Sequence, residues 1–306
     1  MAKLTVKELG KILAVSFNEL KRNEPLRLAG ATAFFTTFAL PPILIILVQI
    51  IGIVFRIENL RDKFFVQLAG IVGKQGAAQV KVTFSGFTAL AGNWMITAGG
   101  FIFLMFVATT LFKVIKDSLN QLWDVKITTK KPFKANLEKR AVSMIVILLT
   151  GILLIGGMVA EGLGSLFRQY AAGELPKQTA TFLNILIKQT ISIIIVGVWF
   201  AILFKVLPDA KASWKVVIAG GLFTGILFTA GKIIIRYMLF FGNLRNIFGA
   251  SSSLVLLLLF VFYSSFILYY GACFTKVFAT FIKDPIKAGN YSVTYRMVET
   301  KSIEVQ

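Results

Sequence analysis

The run LVLLLLFVFYSSFILYYGACF, from Leu254 to Phe274, contains no charged residue. A bilayer with a hydrocarbon core of roughly 30 Å needs about 20 consecutive apolar residues in each helix that crosses it. The run therefore predicts a transmembrane α-helix, and lipid is the solvent around it.

Five further segments meet the same requirement, so we expect six transmembrane helices in an all-α, polytopic membrane protein. The six predicted spans cover about 28–55, 94–115, 141–160, 183–204, 214–235 and 254–274. Pro41 and Pro42 interrupt the first span and remove two backbone donors, which predicts a kink there. The spans form a single membrane domain over residues 1–282, and 283–306 is a short polar cytoplasmic tail for which no regular structure is predicted.

The composition excludes an ordinary soluble protein. Hydrophobic residues make up 57% of the 306 residues and charged residues 15%, with a mean hydropathy of +0.79. In a soluble domain the net charge of +19 would indicate nucleic-acid binding. Here the basic residues flank apolar runs, where they orient helices and meet anionic headgroups. We expect membrane lipids, especially anionic phospholipids, as partners, and no nucleic acid.

Lys and Arg in the segments between spans predict the orientation. Alternate segments, beginning with the N-terminal arm, carry 21 of these residues, and the other segments carry 9. Because cytoplasmic loops carry the excess, both termini are predicted to be cytoplasmic.

Two segments outside the spans predict interfacial helices. Residues 4–22 place Leu9, Ile12, Leu13 and Leu20 on one helical face and are amphipathic. This helix lies either on the inner membrane interface or against the rest of the protein, and the sequence leaves both open. The segment from Arg56 to Asn93 mixes apolar and charged residues and predicts one or two outer interfacial helices.

Several motifs resemble the YihY/BrkB family of bacterial inner-membrane proteins. In order, they are LAGATAFFTTFALPP (28–42), SLNQLWDV (118–125), LFKVLPD (203–209), GGLFTG (220–225) and YYGACFT (269–275). The resemblance covers nearly the whole chain and implies a multi-pass protein of the bacterial cytoplasmic membrane. The family was once labelled ribonuclease BN, a name later regarded as an error, and proposals for its activity centre on transport or envelope lipid handling. Many members have a Glu where this chain has Cys273, which puts any mechanism that needs that carboxylate in doubt.

The reactive side chains argue against an enzyme. The chain has no His and one cysteine, Cys273, and its 14 acidic residues are scattered. A nuclease needs positioned acid/base groups or metal-binding carboxylates. Asp117 and Asp124 are seven residues apart, but their basic neighbours favour a structural pairing. We therefore predict no catalytic residues, no metal site and no cofactor, and the ribonuclease reading is disfavoured.

Cations within or beside spans are the candidate functional residues, because a charge at the bilayer centre costs about 2.5 to 3.5 kcal/mol. Lys188 lies in the predicted fourth span and Lys232 in the fifth, with Arg236 and Arg245 following. These four, with Glu161 at the outer end of the third span, predict an outer-facing site for an anion or phosphate. The alternative is that the long side chains reach the interface and bind nothing.

Two functions of different class follow. The first is a transporter or lipid-handling protein that engages an anionic substrate or phospholipid through a cationic outer-facing cavity. The second is a non-transporting membrane scaffold. Gly221 and Gly225 in the fifth span predict close helix packing, within the chain rather than between subunits. The sequence does not determine the oligomeric state, the substrate or the direction and energy source of any transport.

Overall fold

The computed structural model describes residues 5–55, 94–128, 177–241 and 252–295, together with positions 65–66, 68–69, 77–78, 80–82, 85 and 156. The long helices of the described residues are α1 (Val6–Arg22), α2 (Pro25–Phe55), α3 (Trp94–Leu122), α4 (Lys177–Val206), α5 (Trp214–Phe241) and α6 (Ser252–Phe281). Four short strands accompany them: β1 (Val125–Ile127), β2 (Ala210–Lys211), β3 (Lys287–Ala288) and β4 (Ser292–Thr294).

The first helix forms for local reasons and packs on the bundle. The Glu8 carboxylate accepts hydrogen bonds from the Thr5 backbone N–H, at 2.8 Å, and from the Thr5 hydroxyl. These bonds lower the pKa of the Glu8 carboxyl. Ile12, Ser16 and Leu20 are buried on one face of α1, which packs against α6. Only Asn23 and Glu24 separate α1 from α2.

Glycines set the spacing of α4, α5 and α6. A Cβ added at Gly220 of α5 would meet the Thr275 hydroxyl of α6, and one at Gly271 of α6 would meet the Thr224 hydroxyl of α5. Each threonine hydroxyl donates to the carbonyl four residues earlier, so its polar atom is satisfied within its own helix. The two helices therefore touch through reciprocal Gly–Thr contacts.

The second helix is continuous through Pro41 and Pro42. The hydroxyls of Thr32, Thr36 and Thr37, just before these prolines, donate to carbonyls of the preceding turn. These three hydroxyls therefore each have an acceptor within their own helix. The kink predicted at the prolines stays a prediction.

Three described helices have segments long and apolar enough to cross a membrane, judged by length and composition over the described residues. These segments are Ile185–Val206, Trp214–Ile235 and Leu254–Phe281. Helices α2 and α3 cover the first two predicted spans, whereas the third, 141–160, lies outside the described residues apart from Gly156, which is helical. Six spans and cytoplasmic termini stay predictions.

Described positions between α2 and α3 are helical and join the core. Phe65, Leu68, Ala77 and Val80 are buried in one cluster with Ile235 of α5 and with residues of α2 and α6. The outer interfacial segment predicted from Arg56 to Asn93 therefore packs on the bundle at these four positions.

The fold is mostly helical, as predicted, but it also contains two small antiparallel sheets. Strand β1 pairs with β4, and β2 pairs with β3. The tail after Lys283, for which no regular structure was predicted, thus supplies both partner strands. The YSVTY run at 291–295 alternates apolar with hydroxyl-bearing side chains, which is a strand pattern, and the tail strands pair with loop backbone after α3 and α4.

Candidate functional site

A buried carboxylate, Asp209, lies between α4 and α5. One of its oxygens is 3.1 Å from Lys116 Nζ and accepts a hydrogen bond from the Asn120 amide at 3.2 Å. The Asp209 backbone N–H donates to Asn120 Oδ1 at 2.8 Å. Its carbonyl accepts from the Gly289 N–H and the Ser292 hydroxyl of the tail. Asp209 therefore joins α3, the α4–α5 loop and the tail.

A second charged cluster centres on Lys276 of α6. Its ammonium lies 2.5 Å from Glu19 Oε1 of α1 and 2.8 Å from Asp124 Oδ2, just after α3. The Asp124 carbonyl accepts the Tyr295 backbone N–H at 2.9 Å. Burial, and then the Asp124 charge, raise the pKa of the Tyr295 phenol, while the Lys276 charge opposes them. Asp124, predicted to have a structural pairing, has one with a lysine remote in sequence.

Neutral groups continue the network between the two clusters. The Trp123 indole N–H donates to the Ala272 carbonyl of α6 at 3.0 Å. The fully buried Tyr269 hydroxyl lies 2.5 Å from the Thr32 hydroxyl of α2 and also bonds the Ser118 side chain of α3. The buried polar groups of Thr32, Trp123 and Tyr269 thus each have a partner.

We call this set the α1-end network; its side chains are Glu19, Thr32, Lys116, Ser118, Asn120, Trp123, Asp124, Asp209, Tyr269 and Lys276. The motifs at 118–125, 203–209 and 269–275 all contribute to it. Sequence reasoning did not single out Asp209, Asn120 or Lys276. The sequence does contain one indication of their role, because each is a polar residue within or just beyond a long apolar run.

The cations predicted for an outer site lie toward the other ends of α4 and α5. Lys232 of α5 is half-buried. Lys188 and Arg236 lie in α4 and α5, but their side chains are outside the described set, and Arg245 and Glu161 lie wholly outside the described residues. No relation of these four to Lys232 is therefore described.

The glycines predicted for close packing lie against α4. A Cβ at Gly221 would meet the Gly197 carbonyl and the Ala201 backbone, and one at Gly225 would meet Gly197 and the Ile193 carbonyl. Lys232, seven residues after Gly225, is close to two full turns along the same face of α5.

A buried hydroxyl lies one turn before Lys232. The Thr229 hydroxyl has no hydrogen-bond partner among the residues that the structure describes, although the residue is only 2% exposed. Thr224, five residues earlier on α5, bonds its own helix in the usual way. Thr229 and Lys232 thus bring a free donor and a cation to one stretch of α5.

Other reactive groups are few in the described residues. No group of three or more His, Cys, Asp or Glu residues that could hold a metal ion occurs among them. Cys273 is a buried free thiol on α6, three residues before Lys276. Glu19 and Asp124 pair with that residue's ammonium.

Known proteins similar to this chain are membrane proteins. The family model described as virulence factor BrkB matches residues 16–290. A UPF0761 membrane protein of Pseudomonas paraeruginosa is 24% identical over 247 residues, covering 80% of this chain and 57% of the relative. One of Mannheimia succiniciproducens is 23% identical over 309 residues, covering 96% of this chain and 98% of the relative.

The chain spans 57% of the length of the first of these relatives, and a similar share, 58%, of a UPF0761 membrane protein of Stenotrophomonas maltophilia that is 23% identical. No solved structure matches the chain. The relatives' names describe a membrane protein and state no enzymatic activity. With a family model matching from residue 16 to residue 290, and with long apolar helices in the fold, this chain is an integral membrane protein that belongs to the BrkB family.

Proposed function

We propose that this membrane protein is a transporter or lipid-handling protein that engages an anionic substrate, such as a phospholipid headgroup, at the ends of α4 and α5 remote from α1. The observation that carries the proposal is the buried Thr229 hydroxyl one turn before Lys232. A buried hydroxyl that has no partner among the described residues is costly, and a half-buried cation lies beside it on α5. An anion there would accept from the hydroxyl and be attracted by the ammonium.

The surroundings of Lys232 support an anion there. Ile235, one turn further on α5, packs in the same cluster as Phe65. The Lys81 ammonium lies 5.9 Å from the centre of the Phe65 ring, so a second cation belongs to this end of the bundle. Apolar side chains between the two cations lower the local dielectric, which strengthens the attraction for an anion.

The helix register bears on Lys188. The contact of Gly225 with Gly197 and Ile193 sets α4 antiparallel to α5, so Lys188 and Lys232 stand at about the same level, roughly 10 Å beyond the contact. The register favours Lys232 as a cation beside the α4–α5 contact.

A different observation favours the scaffold function. The α1-end network satisfies Lys116, Asp209, Lys276, Glu19 and Asp124 within the chain. A scaffold requires ion pairs of this kind to hold its helices together, and it does not require a substrate. The same network closes one end of the bundle, so a transporter would have to admit its substrate from the other end.

Lipid binding to the purified protein tests the proposal. Phosphatidylglycerol should raise the unfolding temperature more than phosphatidylcholine does, and Lys232→Met should reduce that difference. The matched control is Lys113→Met, which removes an exposed lysine of α3 and should leave the difference intact. Equal responses of the wild type and the Lys232 variant would contradict an anion at this position.

Thr229→Val separates binding from folding. It keeps the shape of the side chain and deletes an unsatisfied buried hydroxyl, so the lipid-free protein should be as stable as the wild type or more so. The phosphatidylglycerol response should nevertheless fall. Complementation by both variants in cells that depend on this protein, with unchanged lipid responses, would favour the scaffold.

A further inference from the structure

The first helix divides its apolar residues between two strips. Ile12, Ser16 and Leu20 form the strip that is buried against α6. Val6 and Phe17 lie beside it, and Leu9 continues its line toward the start of the helix; the three are exposed, at 89%, 39% and 43%. Packing against α6 does not account for these exposed apolar residues, which we call the outer strip.

The basic side chains of α1 continue around the helix from the outer strip. Lys7, Lys11 and Lys21 are exposed, and the Lys21 ammonium lies 4.9 Å from the centre of the Phe17 ring. Glu19 is paired with Lys276, whereas Glu8 accepts from the neutral Thr5 and keeps its charge. With three exposed lysines against Glu8, the net exposed charge of the helix is cationic.

The outer strip is continuous with the surface of the spanning helices. The Phe17 ring contacts the Tyr270 ring of α6 edge to face, at 5.9 Å between centres, and the Tyr270 ring contacts Phe223 of α5 at 5.5 Å. Tyr270 and Phe223 both lie in candidate membrane spans. Since only Asn23 and Glu24 separate α1 from α2, the helix stays at the point where the chain enters the bilayer.

We propose that the outer strip of α1 inserts into the adjacent membrane leaflet and that its lysines bind the headgroups of anionic phospholipids there. An amphipathic helix with apolar residues toward the acyl chains and lysines at the headgroups is the arrangement that binds anionic bilayers. Helix α1 is thus held by two surfaces at once, by α6 on one strip and by lipid on the other. This site is at the end of the bundle opposite the anion site proposed above and is independent of it.

Spin labels at single cysteines in protein reconstituted into nanodiscs test the insertion. Labels at Leu9→Cys and Phe17→Cys should be more accessible to oxygen than to a water-soluble nickel complex. Val15→Cys is the matched control, because Val15 is exposed on the opposite flank of α1 and its label should show the aqueous pattern. Cys273 is buried, so the unmodified chain provides the background. An aqueous pattern at Leu9 and Phe17 equal to that at Val15 would overturn the proposal.

The lipid class is tested with the Leu9 label. Its depth should be greater in nanodiscs with phosphatidylglycerol than in those with phosphatidylcholine alone, and Lys11→Gln with Lys21→Gln should remove that difference. Equal depth in the two lipids would overturn the assignment to anionic lipid. Spin–spin broadening between Leu9 labels in lipid-free detergent would show a second copy of the chain on the strip, and it would also overturn the proposal.

Discussion

The ammonium of Lys276, near the end of α6, lies 2.8 Å from the carboxylate of Asp124, which follows α3 and has a positive φ of 53°. Glu19 of α1 is the second carboxylate on the same ammonium. One side chain thus holds together three segments of the chain that are remote in sequence.

Lys276→Met should lower the unfolding temperature. The substitution leaves two partly buried carboxylates without their cation, and hydrogen bonds to charged groups contribute about 1.5–3 kcal/mol each. Thermal unfolding in detergent measures the effect. Arg27→Met, which removes an exposed ion pair with Glu24, is the control and should change stability by less than about 0.5 kcal/mol. Equal effects of the two variants would contradict a structural role for Lys276.

Cys273→Glu should destabilise the protein, and Glu19→Gln should reduce the penalty. The new carboxylate would be buried one turn from Lys276, which already has two carboxylate partners. With Glu19 neutralised, Lys276 gains the capacity to pair with it. A double-mutant cycle on the unfolding temperature measures the coupling. Additive effects would show that a carboxylate at position 273 does not interact with the Lys276 cluster.

Gly220→Ala and Gly271→Ala should each destabilise the contact between α5 and α6. The new methyl groups would overlap Thr275 and Thr224, and overpacking typically costs about 1–3 kcal/mol. Gly30→Ala in α2 is the matched control, because nothing lies within 4 Å of its added Cβ. There the better helix propensity of alanine should leave stability unchanged or raised. Thermal unfolding of the three variants compares the positions directly.

The apolar runs predicted the helices because length and hydropathy are local properties of a sequence. Helix α4, for example, extends from Lys177 to Val206, around a predicted span of 183–204. The pairing of Asn120 with Asp209 joins residues 89 apart, and no periodicity encodes such a partner. The α1-end network was therefore not predicted, although its motifs carried the family resemblance.

Cysteine labelling in intact cells tests the orientation predicted from the lysine and arginine counts. A cysteine at Lys177, at the start of α4, should react with a membrane-impermeant reagent added from the periplasm. A cysteine at Lys130, in the basic loop after α3, should react only after the inner membrane is permeabilised. The reverse pattern would overturn the prediction that both termini are cytoplasmic.

Highly purified protein should show no intrinsic ribonuclease activity. The chain has no His, and Asp124 is engaged by Lys276, so positioned acid/base groups are lacking among the described residues. Turnover of RNA with and without added divalent metal is the measurement. Metal-dependent activity that co-purifies with the chain and disappears in Asp117→Asn or Asp124→Asn would contradict this expectation.

The glycine contacts also restrict how the helices can move. Gly220 and Gly271 interlock α5 with α6, and Gly221 and Gly225 interlock α5 with α4, so no room remains for these three helices to slide past one another. We expect them to move as one body relative to α3. The bonds of Asn120 with Asp209 and of Trp123 with Ala272 cross that boundary at the α1 end and would serve as its hinge, so any opening would widen the opposite end.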